Sequence, residues 1–126
     1  MSYFWVAVGS ALGGMGRYAC SGLGARWFGE TFPWGTLFVN VAGSLVIGVL
    51  AVVLPADGRL LTDNARAFLM IGVCGGFTTF SSFSIETLNL ARNGEWGAAA
   101  AYTLGSVVLC LAGVAIGYFG TLALAR

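Results

Sequence analysis

Four stretches of this chain, about Tyr3 to Leu23, Trp34 to Leu54, Ala67 to Leu90 and Gly97 to Ala125, are each long and apolar enough to cross a hydrocarbon core of about 30 Å as a helix. No other feature constrains the fold as tightly. Lipid offers no partner to backbone N–H and C=O groups, and a helix satisfies them within one segment. The expected class is therefore an all-α integral membrane protein of four transmembrane helices, with residues 1–126 as a single domain. A hydrophobic content of 58% against 9% charge lies outside the range of soluble domains and agrees with this.

The connections between these stretches hold the polar punctuation. Gly24 to Pro33 includes Arg26 and Glu30, Pro55 to Arg66 gathers most of the polar residues, and Arg92-Asn93-Gly94-Glu95 reads as a tight turn. Trp5, Trp27, Trp34 and Trp96 stand near segment ends, where indole rings anchor in the headgroup region. The start, Met1-Ser2-Tyr3-Phe4-Trp5, lacks the positive leader of a secretory signal, and the apolar run behind it exceeds a signal core, so it reads as a retained span. An even number of crossings puts Arg59, Arg66 and Arg126 on one side and Arg26 and Arg92 on the other, and Arg17 levels the count. Orientation follows the Lys/Arg asymmetry of short loops, so this near tie predicts insertion in both directions.

Other chemistries find few tools. Six arginines with no lysine and five acids leave a net charge of +1, which gives no basic footprint for nucleic acid. Histidine is absent, no nucleophile elbow or phosphate-binding loop occurs, and the chain reads as a non-enzyme. Cys20, Cys74 and Cys110 are odd in number, far apart and set in apolar surroundings. They suit neither a disulfide framework nor a metal cluster and read as small buried hydrophobes.

The third apolar segment is interrupted by Gly75-Gly76-Phe77-Thr78-Thr79-Phe80-Ser81-Ser82-Phe83-Ser84. Two glycines, five hydroxyls and three phenylalanines suit lipid-facing helix poorly, so we expect the third helix to break near Gly75 to Thr79. A break at membrane depth is tolerated only where the freed backbone groups are buried in protein or line a watery cavity. The segment thus reads as a site. A resumed helix brings Phe80, Phe83, Ser84 and Thr87 to one face and Thr79, Ser82 and Glu86 to a neighbouring one. Phenyl edges carry positive potential, so rings presented edge-on stabilise a small anion without a full cation that would hold it too tightly. Phenylalanines at helical spacing are more often core packing; the interleaved hydroxyls weigh against that here.

Further polar residues align with this picture. Thr36, Asn40 and Ser44 recur every fourth residue and form a row on one face of the second helix. Interhelical hydrogen bonding accounts for Thr36 and Ser44, whereas the two amide donors of Asn40 suit an anion as well as a carbonyl. Tyr102 and Ser106, four apart on the last helix, offer more hydroxyls, with packing as the alternative. Glu86 and Arg17 are ionisable groups in or at the rim of the membrane, where burial is expensive. Glu86 either serves the site or hydrogen-bonds its own helix, and Arg17 either snorkels to water or raises anion concentration at a vestibule. An opened turn at Gly75 to Thr79 frees carbonyl oxygens that suit a hard cation such as sodium. Gly9 with Gly13, and Gly113 with Gly117, are small residues at intervals of four. They serve a subunit interface or close packing inside one subunit, and the spacing does not separate the two.

Gly-Gly-Met-Gly-Arg17-Tyr18, Gly35-Thr-Leu-Phe-Val-Asn40-Val-Ala-Gly43 and Gly75-Gly-Phe-Thr-Thr-Phe80-Ser-Ser-Phe83-Ser84-Ile-Glu86 together resemble the Fluc (CrcB-type) fluoride channels. The resemblance spans all four apolar segments. It implies a fluoride-selective channel of the inner (plasma) membrane that lets cytoplasmic fluoride leak out, built as an antiparallel, dual-topology homodimer with two pores. It further implies that Phe80 and Phe83 are the aromatic lining, that Asn40 donates to fluoride, and that Thr79, Ser81, Ser82 and Ser84 belong to a hydroxyl track. Glu86, Tyr102 and Ser106 fall on the pathway and Arg17 at the vestibule. The carbonyls of Gly75 and Thr78 match the ligands of a structural sodium ion at the dimer centre, and no organic cofactor is implied. Cys110 stands one turn beyond Ser106, where a further hydroxyl is expected. A dual-topology exporter of organic cations coupled to protons has similar length, but it calls for a carboxylate deep in the first helix, where none occurs. A helical accessory subunit explains the glycine faces but not the hydroxyl and phenylalanine run.

Overall fold

The structure, a computed structural model, describes residues 2–125; Met1 and the Arg126 of the loop-charge comparison lie outside the described residues. Helix α1 (Ser2–Phe28) is followed by α2 (Trp34–Val53) and α3 (Leu60–Arg66). The last of these runs into a π-helical stretch, Ala67–Cys74, and a final turn, α4 (Gly75–Phe77). After a break come α5 (Phe80–Arg92) and α6 (Trp96–Leu124), with no strand among the described residues. The chain is a multi-pass membrane protein: Trp34–Val53, Leu60–Arg92 and Trp96–Leu124 are each long and apolar enough to cross a bilayer. The first expected span, α1, has the length, but its glycines, serines and Arg17 dilute its apolarity.

Two boundaries differ from expectation. α1 continues past Leu23 to Phe28, so the first connection shrinks to a turn that needs the left-handed Gly29 (φ +86°). The polar stretch before Ala67 is partly helical, as α3, and Arg66 Nη1 reaches back to the Leu54 carbonyl at the end of α2. This satisfies an orphan carbonyl at a helix C-terminus.

The break itself is narrower than the glycine run suggests. Gly75 and Gly76 are helical, and only Thr78 (φ −89°, ψ 158°) and Thr79 (φ −154°, ψ 121°) are extended. Close packing explains the glycines. A methyl on Gly76 would lie 2.6 Å from the Ser10 carbonyl oxygen, so this residue lets the span press on α1 and does not bend it. Gly9 and Gly13 continue the same seam, facing the Phe68 carbonyl, Gly72 and the Val73 carbonyl. On the other side of the subunit α2 packs along α6, with Gly48 against Val114, Gly113 against Val41 and Gly117 against Leu45. Both glycine pairs singled out in the sequence therefore pack within the chain itself. Open space lies instead at Gly14, Gly22, Gly97, Gly105 and Gly120.

Trp27, Trp34 and Trp96 are exposed near helix ends, as anchors should be. Trp5 differs. Its indole nitrogen is buried without a partner among the described residues, and its ring meets Phe68 edge-on at 6.0 Å.

Candidate functional site

The break is held open by side chains from two other helices. Asn40, midway along α2, clamps Thr79 from both directions: its Oδ1 accepts from the Thr79 N–H at 2.7 Å, and its Nδ2 donates to the Thr79 carbonyl at 3.1 Å. Extended backbone at Thr79 would otherwise leave both groups orphaned at membrane depth. Gly43, three residues further along α2, leaves the space that the Thr78 side chain fills; a methyl there would collide with the Thr78 Cγ2. From α1, Arg17 Nε donates to the Gly76 carbonyl at 3.1 Å and so caps the turn before the break. Thr79 then starts α5 as its N-cap, its hydroxyl accepting from the Ser82 N–H at 3.1 Å.

Beside the break lies a groove of about 340 Å³. It brings together Asn40, Gly75, Thr78, Thr79, Phe80, Phe83 and Ser106, from the candidate residues, with Ser44, Met70, Cys74 and Cys110 among its other walls. Among the described residues no charged side chain lines it. The Phe80 and Phe83 rings stand 5.4 Å apart at 45°, and Phe80 is 78% exposed. Ser106 is the exceptional wall residue: it is 6% exposed, and its Oγ has no hydrogen-bond partner among the described residues. Buried hydroxyls are nearly always paired, so this one offers a donor to whatever occupies the groove.

Glu86 stands apart from the groove and lines a second cleft of about 410 Å³ with Thr36, Glu30, Asn89 and Asn93. Each of its carboxylate oxygens accepts a hydroxyl proton, Oε2 from Thr36 at 2.9 Å and Oε1 from Tyr102 at 3.0 Å. Glu86 thus ties α5 to α2 and α6. Tyr102 is fully buried, with the Phe83 ring 5.1 Å away on one side and the Phe32 ring 5.3 Å away on the other. It connects the groove side of the bundle to the cleft side.

The remaining candidates lie elsewhere. Ser84 is exposed and donates to the Phe80 carbonyl one turn back, and Ser81 is exposed with its hydroxyl 3.2 Å from that of Thr79. Ser82 contributes its backbone N–H to the Thr79 cap, and none of the three lines the groove. Thr36 makes the interhelical bond expected of it, whereas Ser44 folds back onto the Asn40 carbonyl within its own helix at 2.7 Å. The sequence reading missed Met70 and Cys74 as groove residues. The interval of four between them was the available signal, but apolar residues on an apolar helix do not attract notice.

The family model described as "CrcB-like protein, Camphor Resistance (CrcB)" matches residues 4–118. The chain belongs to the CrcB family. Relatives agree over nearly the whole length. This CrcB chain is 54% identical over 123 residues to the "Fluoride-specific ion channel FluC" of Opitutus terrae, covering 97% of this chain and 93% of the relative. It is 52% identical over 121 residues to the protein of the same name from Rhodospirillum rubrum (95% and 94%) and 50% identical over 119 residues to that of Methylocella silvestris (94% and 91%). The matched stretch contains the break, both CrcB clefts and all the groove residues named above.

Proposed function

We propose that this chain forms a fluoride-selective channel and that the groove beside the broken span is part of its ion route. The observation that carries this reading is the buried hydroxyl of Ser106, unpartnered among the described residues, on a residue that lines the groove together with Asn40, Thr79 and two phenyl rings. Leaving such a donor unpaired costs about 1–3 kcal/mol, and a hard anion passing the groove supplies the missing acceptor. Asn40, which also lines the groove, gives one Nδ2 hydrogen to the Thr79 carbonyl and keeps a second donor. With no arginine among the described residues that line the groove, an ion is stabilised by dipoles and ring edges and released readily. The names of the relatives support fluoride as that ion, and transport in place of catalysis.

The chain inserts in both directions and pairs as an antiparallel homodimer with two routes, in the inner (plasma) membrane. Support comes from the near balance in the sequence of Arg59, Arg66 and Arg126 against Arg26 and Arg92, levelled by Arg17, and from the exposed Phe80, which is free to meet a second copy. Gly75 and Thr78 suit a shared sodium ion: among the described residues neither carbonyl accepts a hydrogen bond, and Gly75 is exposed. Carbonyl oxygens are fitting ligands for a hard cation, and the ion, when bound, supplies charge that joins two opened turns.

Purified protein in fluoride-loaded liposomes, followed with a fluoride electrode, tests the function. Fluoride should leave and chloride should not. Efflux no faster than from empty liposomes, or equal passage of both halides, would overturn the reading.

A further inference from the structure

Three sulfur side chains face the groove. Met70 and Cys74 lie four residues apart on the π-helical stretch, and Cys110 comes from α6. Cys110 continues the line of Tyr102 and Ser106 by one more turn, so it stands next to the buried hydroxyl that lacks a partner. All three cysteines are free thiols, but the fold separates them: Cys74 and Cys110 line the groove, and Cys20 on α1 does not.

A thiol is a weak hydrogen-bond donor and therefore a poor host for a hard anion. Thiolate and thioether sulfurs instead select soft metal ions. Hard and soft ions thus seek different atoms in the same confined space. We infer that Cys110, together with Cys74 and Met70, makes the groove a binding site for a soft monovalent cation of the Ag(I) and Cu(I) class, and that its occupancy closes the ion route. Each thiol that ligates releases its proton to water, and no oxidant or reductant takes part. Among the described residues no three Cys, His, Asp or Glu form a metal cluster, and the donors here are two thiols and one thioether. Closure rests on the groove being the ion route proposed above; metal binding does not.

The test uses silver nitrate in chloride-free buffer. Purified full-length protein is incubated with silver, desalted and analysed for retained metal, and the same protein in liposomes is assayed for fluoride efflux with and without silver. Wild type and Cys20→Ser should retain silver and lose most of their flux when it is added. The Cys74→Ser/Cys110→Ser variant should retain less silver, and its own flux should be unchanged by the metal. Cys110→Ser alone, at a half-buried position, serves if the double variant does not fold. Equal retention or equal block in wild type and the Cys74→Ser/Cys110→Ser variant (or Cys110→Ser alone) would overturn the inference, as would silver bound by wild type without loss of flux. Liposomes that pass no fluoride at all would sink the channel reading, while the retention measurement would still decide the metal site.

Discussion

Asn40 and Ser106 face the same groove, yet they relate to the fold in opposite ways. Asn40 supports the backbone, since its amide satisfies both polar groups of Thr79. Replacing Asn40 with Ala leaves that N–H and C=O without partners, at about 1–3 kcal/mol for each group that stays buried. Thermal unfolding in detergent should show a clear drop in Tm, and fluoride flux should fall with it. The Ser106 hydroxyl holds no other group in place, because its Oγ is unpaired among the described residues. Ser106→Ala should leave Tm within the scatter of wild type or raise it slightly, while fluoride efflux slows. A stability loss in Ser106→Ala comparable to that of Asn40→Ala would show that the hydroxyl has a structural partner and is not a donor to the ion.

Among the elements, the third span shows most plainly what the sequence reveals and what it conceals. Its break was legible because hydroxyls and glycines interrupt an apolar run. Its position was not, because Gly75 and Gly76 serve the seam with α1, and the extended residues are the two threonines, held by Asn40. The π-helical geometry of Ala67–Cys74 left no mark, since a uniformly apolar stretch has no periodicity from which to count residues per turn. Arg17 was visible as a costly charge, but its partner is a backbone carbonyl 59 residues away, which no residue pattern encodes. Glycine spacing was equally mute between packing within a subunit and packing between subunits, and the structure separates neighbouring positions sharply. Gly13 sits on the Val73 carbonyl, whereas Gly14 has nothing within 4 Å. Gly13→Ala should therefore destabilise the protein by about 1–3 kcal/mol, the typical cost of overpacking, and Gly14→Ala should be close to neutral. Comparing their unfolding midpoints and monodispersity in detergent checks this, and equal effects would mean that the α1 seam is wrongly placed.

At the level of the whole molecule, the candidate residues divide into a groove, a strut and a remainder. Phe80, Phe83, Asn40, Thr79 and Ser106 share the groove; Glu86 and Tyr102 bridge α2, α5 and α6; Ser81, Ser82 and Ser84 stay outside. A second copy pairing through sodium would link two opened turns, so replacing sodium by a large organic cation should lower the temperature at which the assembly dissociates. Size-exclusion chromatography after heating reads this directly, and an assembly indifferent to sodium would remove the shared-ion proposal. The most direct test of the ion route is flux through Phe80→Ile. Phe80 is 78% exposed, so its replacement asks little of the fold. In liposomes matched for protein content, we expect Phe80→Ile to elute as wild type does before reconstitution and to pass fluoride no faster than empty liposomes. Fluoride efflux at the wild-type rate would contradict the account, because the ring pair would then be packing and the route would lie elsewhere.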